Sequence, residues 1–211
     1  MSLPLPPPPD FATSGDAPYR REALEVYRRG AKLTSSEDQM VRWWADGPYM
    51  SASPVGHWML LGVEAARAQG TDPARALAVL SSLAVVMHDA AVSCFAWKFR
   101  FGTMRPVTYI RKYMDSKWTP ALTTPPFPEY PSGHSVISGA AATVLERWLP
   151  LKEPIQDVLR NPMNESAPRT VTSWTAAATE ASKSRILAGL HYRSAVERGQ
   201  ELGVAIAGAA Q

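Results

Sequence analysis

Apolar residues follow helical spacing along the chain, and proline, glycine and short polar stretches interrupt the pattern. The apolar positions of the first two predicted short helices are Tyr19, Leu24, Tyr27, Met40, Val41 and Trp44. The polar run at 35–38 has the chemistry of a helix start, and the Asp-Gly-Pro sequence at 46–48 predicts the end of the second helix. A third helix is predicted to open at Ser53-Pro54 and to stop at Gly70.

The longest apolar stretch runs from Ala74 to about Phe99 and predicts a helix closed by Gly102 and Pro106. Because this stretch is apolar nearly all round, we expect the helix to lie at the centre of the fold. Four prolines in residues 107–130 predict a long ordered loop without a regular element. The remaining chain predicts helices over 133–149, 172–190 and about 194–208, with a polar connection at 152–168.

No sustained two-residue alternation and no hairpin turn signal are visible, so the predicted fold class is all-α. The pattern predicts a single helical bundle of about six to eight helices. Residues 1–16 predict a proline-rich N-terminal arm, either extended on the domain or disordered, and residues 17–211 the α-helical domain. A chain of 211 residues with 45% hydrophobic content is long enough for one domain with a substantial core.

Composition narrows the classes of function. A net charge of +3 from 22 basic and 19 acidic residues gives no indication of a nucleic-acid partner. A lone cysteine, Cys94, excludes an internal disulfide and a thiolate metal cluster. His88 and Asp89 interrupt the most apolar run, so we expect a soluble chain without a membrane span. No secretory signal is visible at 1–9, although a trimmed exported protein would look the same, and a homodimer is compatible with the sequence.

Three polar blocks stand out in this pattern: Lys98 with Arg105-Pro106, then Pro131-Ser132-Gly133-His134, then Ser184-Arg185 with His191. In the second block a serine can cap the following helix, and a glycine allows close backbone approach. Free N–H groups and the positive end of the helix dipole make such a helix start an anion site. With two histidines, two arginines and a lysine, the set predicts a pocket for a tetrahedral oxyanion.

Each block also has a simpler interpretation. On a continuous helix Lys98 and Arg105 would project from one face, and a solvated pair of cations near a helix C-terminus would explain them. An ordinary N-cap followed by a histidine would explain the second block. A core histidine bonded to a backbone carbonyl would explain His191. Taken singly, the blocks leave these alternatives open.

Taken together, the order and spacing of the blocks resemble one pattern: Lys, six residues, Arg-Pro, then Pro-Ser-Gly-His, then Ser-Arg, five residues, His. Over residues 40–210 the chain resembles the superfamily of vanadium-dependent haloperoxidases and type 2 phosphatidic-acid or class A acid phosphatases. The resemblance points most to bacterial chloroperoxidase-like members. It implies a helical core of that type and an enzyme with vanadate, or phosphate in its place, as the bound oxyanion.

The resemblance also implies roles for the residues of the three blocks. The residues that would hold the oxyanion oxygens are Lys98, Arg105, Ser132, Gly133 and Arg185. Three cations suit a dianionic or trianionic tetrahedron, and arginine forks bind its oxygens in pairs. His191 matches the residue whose nitrogen attacks phosphorus or binds the vanadium. His134 matches the catalytic acid and base.

One position departs from the family pattern. Most members have an aspartate four residues after the last histidine, where it orients the ring, but this chain has Ala195. Losing such support typically lowers metal affinity or activity by about 10 to 100-fold. Asp89, Glu129 and Glu180 are the acidic residues considered as replacements.

The resemblance leaves three functions open. A haloperoxidase would oxidise halide with hydrogen peroxide, an acid phosphatase would act through a phosphohistidine, and a protein that has lost catalysis would only bind the oxyanion. All three have small-molecule ligands. The apolar run Pro125-Pro126-Phe127 and the nearby Phe95 favour the haloperoxidase, because an apolar wall helps a halide lose its water. The alternative for both phenylalanines is a place in the core.

Overall fold

The computed structural model describes residues 3–30, 32–47, 52–158 and 169–210. In these ranges the chain forms eight α-helices and two short strands, in the order α1 (Pro18–Gly30), α2 (Ser35–Trp43), α3 (Ser53–Ala68), α4 (Pro73–Phe101), α5 (Pro106–Tyr113), α6 (Gly133–Trp148), β1 (Ile155–Asp157), β2 (Arg169–Val171), α7 (Trp174–Leu187) and α8 (Arg193–Ala209). The predicted all-α bundle is confirmed.

Two local predictions were wrong. Residues 107–113, predicted as loop, belong to α5, which begins at Pro106, because proline is tolerated in the first helical turn, where its missing N–H is not needed. The loop therefore begins only after Tyr113. In addition, β1 and β2 pair antiparallel, with Ile155 opposite Val171. At three residues each they are too short to show alternation, and residues 159–168 of the predicted polar connection lie outside the described residues.

The central helix of the fold is α6. It packs against α3, α4, α7 and α8 and buries a run of small side chains from Ser138 to Ala142. Contact with α8 is so close that a Cβ at Gly203 would lie 2.1 Å from the carbonyl oxygen of Val136. A Cβ at Gly139 would lie 2.5 Å from the carbonyl oxygen of Gln200. Glycines on both helices therefore allow the close approach of α8 to α6, whose start carries site residues.

The expectation that the longest apolar helix is central was wrong. One face of α4 is buried, but Leu77, Val85, Val92 and Phe99 on the other face are more than half exposed. Among the described residues one helical stretch, Pro73–Tyr113, has the length and composition to cross a membrane, with 39% of its most apolar window buried. That is weak evidence for a span, since core helices of soluble proteins meet the same criterion.

The N-terminal residues lie against the bundle from residue 3 onward. Leu5 is buried in the core, and the carbonyl oxygen of Leu3 accepts from Trp97 Nε1 at 3.1 Å. The hydroxyl of Tyr130 donates to the carbonyl oxygen of Pro6 at 2.5 Å. Of the two alternatives for the arm, extended on the domain or disordered, the described residues show the first.

Candidate active site

Lys98 lies in the last turn of α4, and it is fully buried. Its Nζ donates to the carbonyl oxygens of Pro128 at 3.0 Å and Glu129 at 2.9 Å. An ammonium group has three N–H donors, so one is left for a ligand. Burial lowers the pKa of Lys98. The interpretation of this residue as a solvated surface cation was wrong.

Arg105 is the N-cap residue of α5, and Gly102 at φ 60° ends α4 before it. The two cations therefore do not share a continuous helix, as the spacing had suggested, yet both reach the same loop. Arg105 Nε donates to the carbonyl oxygen of Phe127 and Nη1 to that of Leu190, both at 2.9 Å. Its Nη2 is buried without a hydrogen-bond partner. Burial lowers the pKa to about 10, so the group is a cation at neutral pH.

Ser132 and Gly133 form the start of α6. Ser132 Oγ accepts from the N–H of Ser135 at 3.4 Å and from its hydroxyl at 3.0 Å, which leaves the Ser132 hydroxyl proton free to donate. The Ser132 N–H donates to the carbonyl oxygen of Ala195 at 2.9 Å, tying this start to α8. A Cβ at Gly133 would meet only Cys94 Sγ, at an ordinary 3.9 Å. Packing within the protein thus does not require this glycine, whereas a ligand held against its N–H would.

His191 is held by a buried carboxylate. Its Nδ1 lies 2.9 Å from Glu129 Oε1, which also accepts the backbone N–H of Tyr192 at 3.0 Å. Because that oxygen is an acceptor, Nδ1 carries the proton and Nε2 keeps its lone pair. Nε2 lies 3.1 Å from Arg105 Nη1, which can donate to it. The imidazole therefore presents a nucleophilic nitrogen to the cations.

Glu129 thus occupies the role that Ala195 cannot fill. Of the three acidic residues considered, Asp89 is exposed beside His88, and Glu180 pairs with Arg169. Glu129 is 1% exposed, and burial raises its pKa. The sequence could identify Glu129 only as one of three candidates, because its contact with His191 joins two loops that are far apart along the chain.

His134 and Arg185 are the remaining two charged or titratable residues of the candidate site. Arg185 is buried in α7, where its Nε donates to Ser184 Oγ at 2.9 Å and its Nη2 has no hydrogen-bond partner. Burial lowers its pKa to about 10, and Asp46 opposes that shift. The side chain of His134 is 18% exposed, and its Nε2 lies 3.7 Å from Asp46 Oδ2.

Electrostatic interactions connect all five charged or titratable residues of the site. Burial first, then Arg185 and His57, hold the pKa of His134 well below 6.5. Burial, then Arg105 and Lys98, do the same for His191, with smaller contributions from the other histidine and Arg185. Both imidazoles are therefore neutral at pH 7, beside three buried cations. An anion is the natural counterpart of such a set.

The donor set fits vanadate or phosphate. Unused donors on Lys98, Arg105 and Arg185 join the Ser132 hydroxyl and the Gly133 N–H at one helix start. Buried polar nitrogens without partners are rare in proteins and call for an explanation. A tetrahedral oxyanion has the acceptors that these donors lack.

An aromatic wall stands beside the cations. The ring of Phe127 lies 5.3 Å from Lys98 Nζ and 5.1 Å from Arg105 Cζ, and Phe95 packs edge-on against it at 5.2 Å between centroids. Phe95 is 41% exposed, and neither ring belongs to the buried core. The alternative that they are core residues was wrong.

A family model described as the VCPO second helical-bundle domain, the vanadium chloroperoxidase type, matches residues 78–211. The chain belongs to this family. The resemblance predicted from the three blocks is therefore confirmed. A comparison with curated proteins gave no match.

Among solved structures, this chain is similar to "the first bacterial vanadium dependant iodoperoxidase", with 38% identity and a TM-score of 0.92 over 98% of its length. Holo-type and apo-type bacterial vanadium-dependent chloroperoxidases share the fold, at 18% identity each and TM-scores of 0.71 and 0.73, over 91% of this chain. The chain covers 52%, 46% and 48% of these three chains, about half of each.

Sequence reasoning missed one group behind His134. Asp46, His57 and Asp157 form a buried cluster in which His57 bonds to both carboxylates. The three residues come from distant segments, so no local spacing could have joined them.

Proposed function

We propose that this domain binds vanadate and, with it, oxidises halide using hydrogen peroxide. The observation that carries the proposal is the pair of unpartnered Nη2 atoms on Arg105 and Arg185 near His191, whose Nε2 keeps its lone pair. Family membership and the 38% identical iodoperoxidase support it. Iodide is therefore the first halide to test.

The residues divide into holding and proton-transfer roles. Lys98, Arg105, Arg185, Ser132 and Gly133 would hold the vanadate oxygens, and His191 Nε2 would bind the metal. Bound vanadate supplies a Lewis-acidic centre that activates peroxide. His191 Nε2 would exchange its contact with Arg105 Nη1 for the metal, while Arg105 stays held by the carbonyl oxygens of Phe127 and Leu190 and offers Nη2 to the oxyanion.

His134 is suited to general base catalysis. It is neutral at pH 7, so it can accept a proton from peroxide entering the pocket. Asp46, at 3.7 Å, stabilises the imidazolium that results. Phe95 and Phe127 offer an apolar surface near the cations, where a halide is attracted by charge and separated from bulk water.

An acid phosphatase is the second candidate, because the same donors suit phosphate and His191 Nε2 could attack phosphorus. Both activities are measured on one preparation, with and without vanadate: iodide and bromide oxidation with peroxide, and release of nitrophenol from its phosphate ester. We expect oxidation that requires vanadate and peroxide together. His191→Ala should abolish it, and His88→Ala, which alters an exposed histidine, should not.

Other outcomes would change the assignment. Phosphate release that vanadate inhibits, without halide oxidation, would identify a phosphatase. Vanadate binding without either turnover would identify an oxyanion-binding protein, and oxidation that persists in His191→Ala would contradict the proposed site.

A further inference from the structure

The buried cluster behind His134 has an unusual charge arrangement. Asp46, His57 and Asp157 are 4%, 0% and 2% exposed. Both carboxylate oxygens of Asp46 lie 3.1 Å from His57 Nδ1, and Asp157 Oδ2 lies 2.8 Å from Nε2. An imidazole donates from both nitrogens only when protonated. Burial alone would lower the pKa of His57, but the two carboxylates outweigh it and raise the pKa to about 9.

Tryptophans from the end of α2 brace this cluster. The ring of Trp44 stacks on His57 with centroids 4.5 Å apart, and Trp43 Nε1 donates to Asp157 Oδ2 at 2.6 Å. Asp46 has a φ of 43°, in the left-handed region that residues other than glycine seldom adopt. Conformations of this kind persist where the surroundings hold them, often at functional sites.

Asp46 also lies beside the candidate site. Its Oδ2 is 3.7 Å from His134 Nε2, and its charge opposes the lowering of the pKa of Arg185. One carboxylate therefore stands between the His57 imidazolium and two residues of the site. His57 contacts both oxygens of Asp46, and the charge of the same carboxylate acts on Arg185, so a change at His57 alters the electrostatic environment of Arg185.

We propose that Asp46, His57 and Asp157 act as one positioning unit that orients His134 and keeps Arg185 available for the oxyanion. The effect on turnover rests on the proposed function, but the orientation of His134 does not. His57 and Asp157 act through Asp46 and are positioning residues.

Other charges act on His134 from each element around it. They are Lys98 on α4, Arg185 on α7, His57 on α3, and the neighbouring Asp46 and His191. A test must therefore change the cluster while leaving these groups in place. Asp157→Asn does so, because an amide oxygen can still accept from Trp43 and His57.

The experiment uses side-chain nitrogen NMR of the ligand-free protein, which has four histidines to assign. In His57→Gln and Asp157→Asn we expect the His134 ring signals to shift and its pKa to rise, because the positive charge of His57 is lost or reduced. Two variants leave the cluster intact and serve as controls. His88→Gln alters an exposed histidine, and Asp89→Asn alters the exposed carboxylate beside it.

Turnover gives an independent readout. We expect kcat for halide oxidation to fall about tenfold in both cluster variants, with KM for halide little changed. His134 signals that match those of the control variants, in folded Asp157→Asn protein, would overturn the inference whatever the turnover. A wild type without halide oxidation would overturn the proposed function, while a shift in the His134 signals would still support the orientation of that ring by the cluster.

Discussion

At the residue scale, the site contains buried polar nitrogens without hydrogen-bond partners. Arg105 Nη2, Arg185 Nη2 and His134 Nε2 are buried and lack hydrogen-bond partners among the described residues. An unsatisfied buried polar group costs about 1–3 kcal/mol. A bound oxyanion that accepts from the two guanidinium groups removes part of that cost, so binding and stability are linked at this site.

The first prediction concerns Glu129. Glu129→Ala removes the acceptor of the His191 Nδ1 proton and should weaken vanadate binding about tenfold. Glu129→Gln should bind nearly as well as the wild type, since its amide oxygen can still accept both N–H groups. Calorimetric titration with vanadate measures both affinities. Tighter binding by both variants would mean that the charge of Glu129, rather than its hydrogen bond, dominates.

The second prediction concerns pH and His57. The folded-state pKa of His57, about 9, lies above the ordinary 6.5. Its contribution to the free energy of unfolding is therefore complete below pH 6.5 and is lost as pH rises through 9. The shift corresponds to roughly 3 kcal/mol. Between pH 6 and pH 9.5, the free energy of unfolding measured in urea should fall less in Asp157→Asn than in the wild type. Equal losses in the two proteins would contradict this account, since the comparison cancels other groups.

At the element scale, the starts of helices were the most predictable features. Proline and small polar residues at 35–38, 53–54, 72–73 and 132–133 act locally, so sequence places these starts to within a few residues. Which helix is central was not predictable, because the small residues of α6 count as weakly apolar although close packing buries them. The partners Glu129 and Asp46 depend on contacts between distant segments, which local patterns do not encode.

The third prediction tests the α6–α8 contact. Gly203→Ala would place a Cβ against the backbone of Val136, so the helices must separate, at a cost of about 1–3 kcal/mol in the free energy of unfolding. Gly208→Ala on the same helix is the matched control, since a Cβ there meets nothing within 4 Å. It should be neutral or stabilising by up to about 1 kcal/mol. Thermal unfolding measures the stability of both variants. Equal stability would contradict the close packing of α6 against α8.

At the scale of the whole molecule, charge is concentrated in one place. The net charge is only +3, yet three buried cations and two neutral histidines lie around the start of α6. α4, α5, α6, α7 and the segment before α8 each contribute to that point. The order of the three motif blocks predicted this convergence, and the fold achieves it through the loop at 127–129 rather than through one continuous helix.

The most direct test of this arrangement is a calorimetric titration of the ligand-free protein with orthovanadate, in the wild type and in Arg185→Gln. The account predicts one vanadate per chain in the wild type, competition by phosphate, and at least tenfold weaker binding in the variant, because a charged fork is lost. No saturable binding to the wild type, or equal affinity in the two proteins, would contradict it.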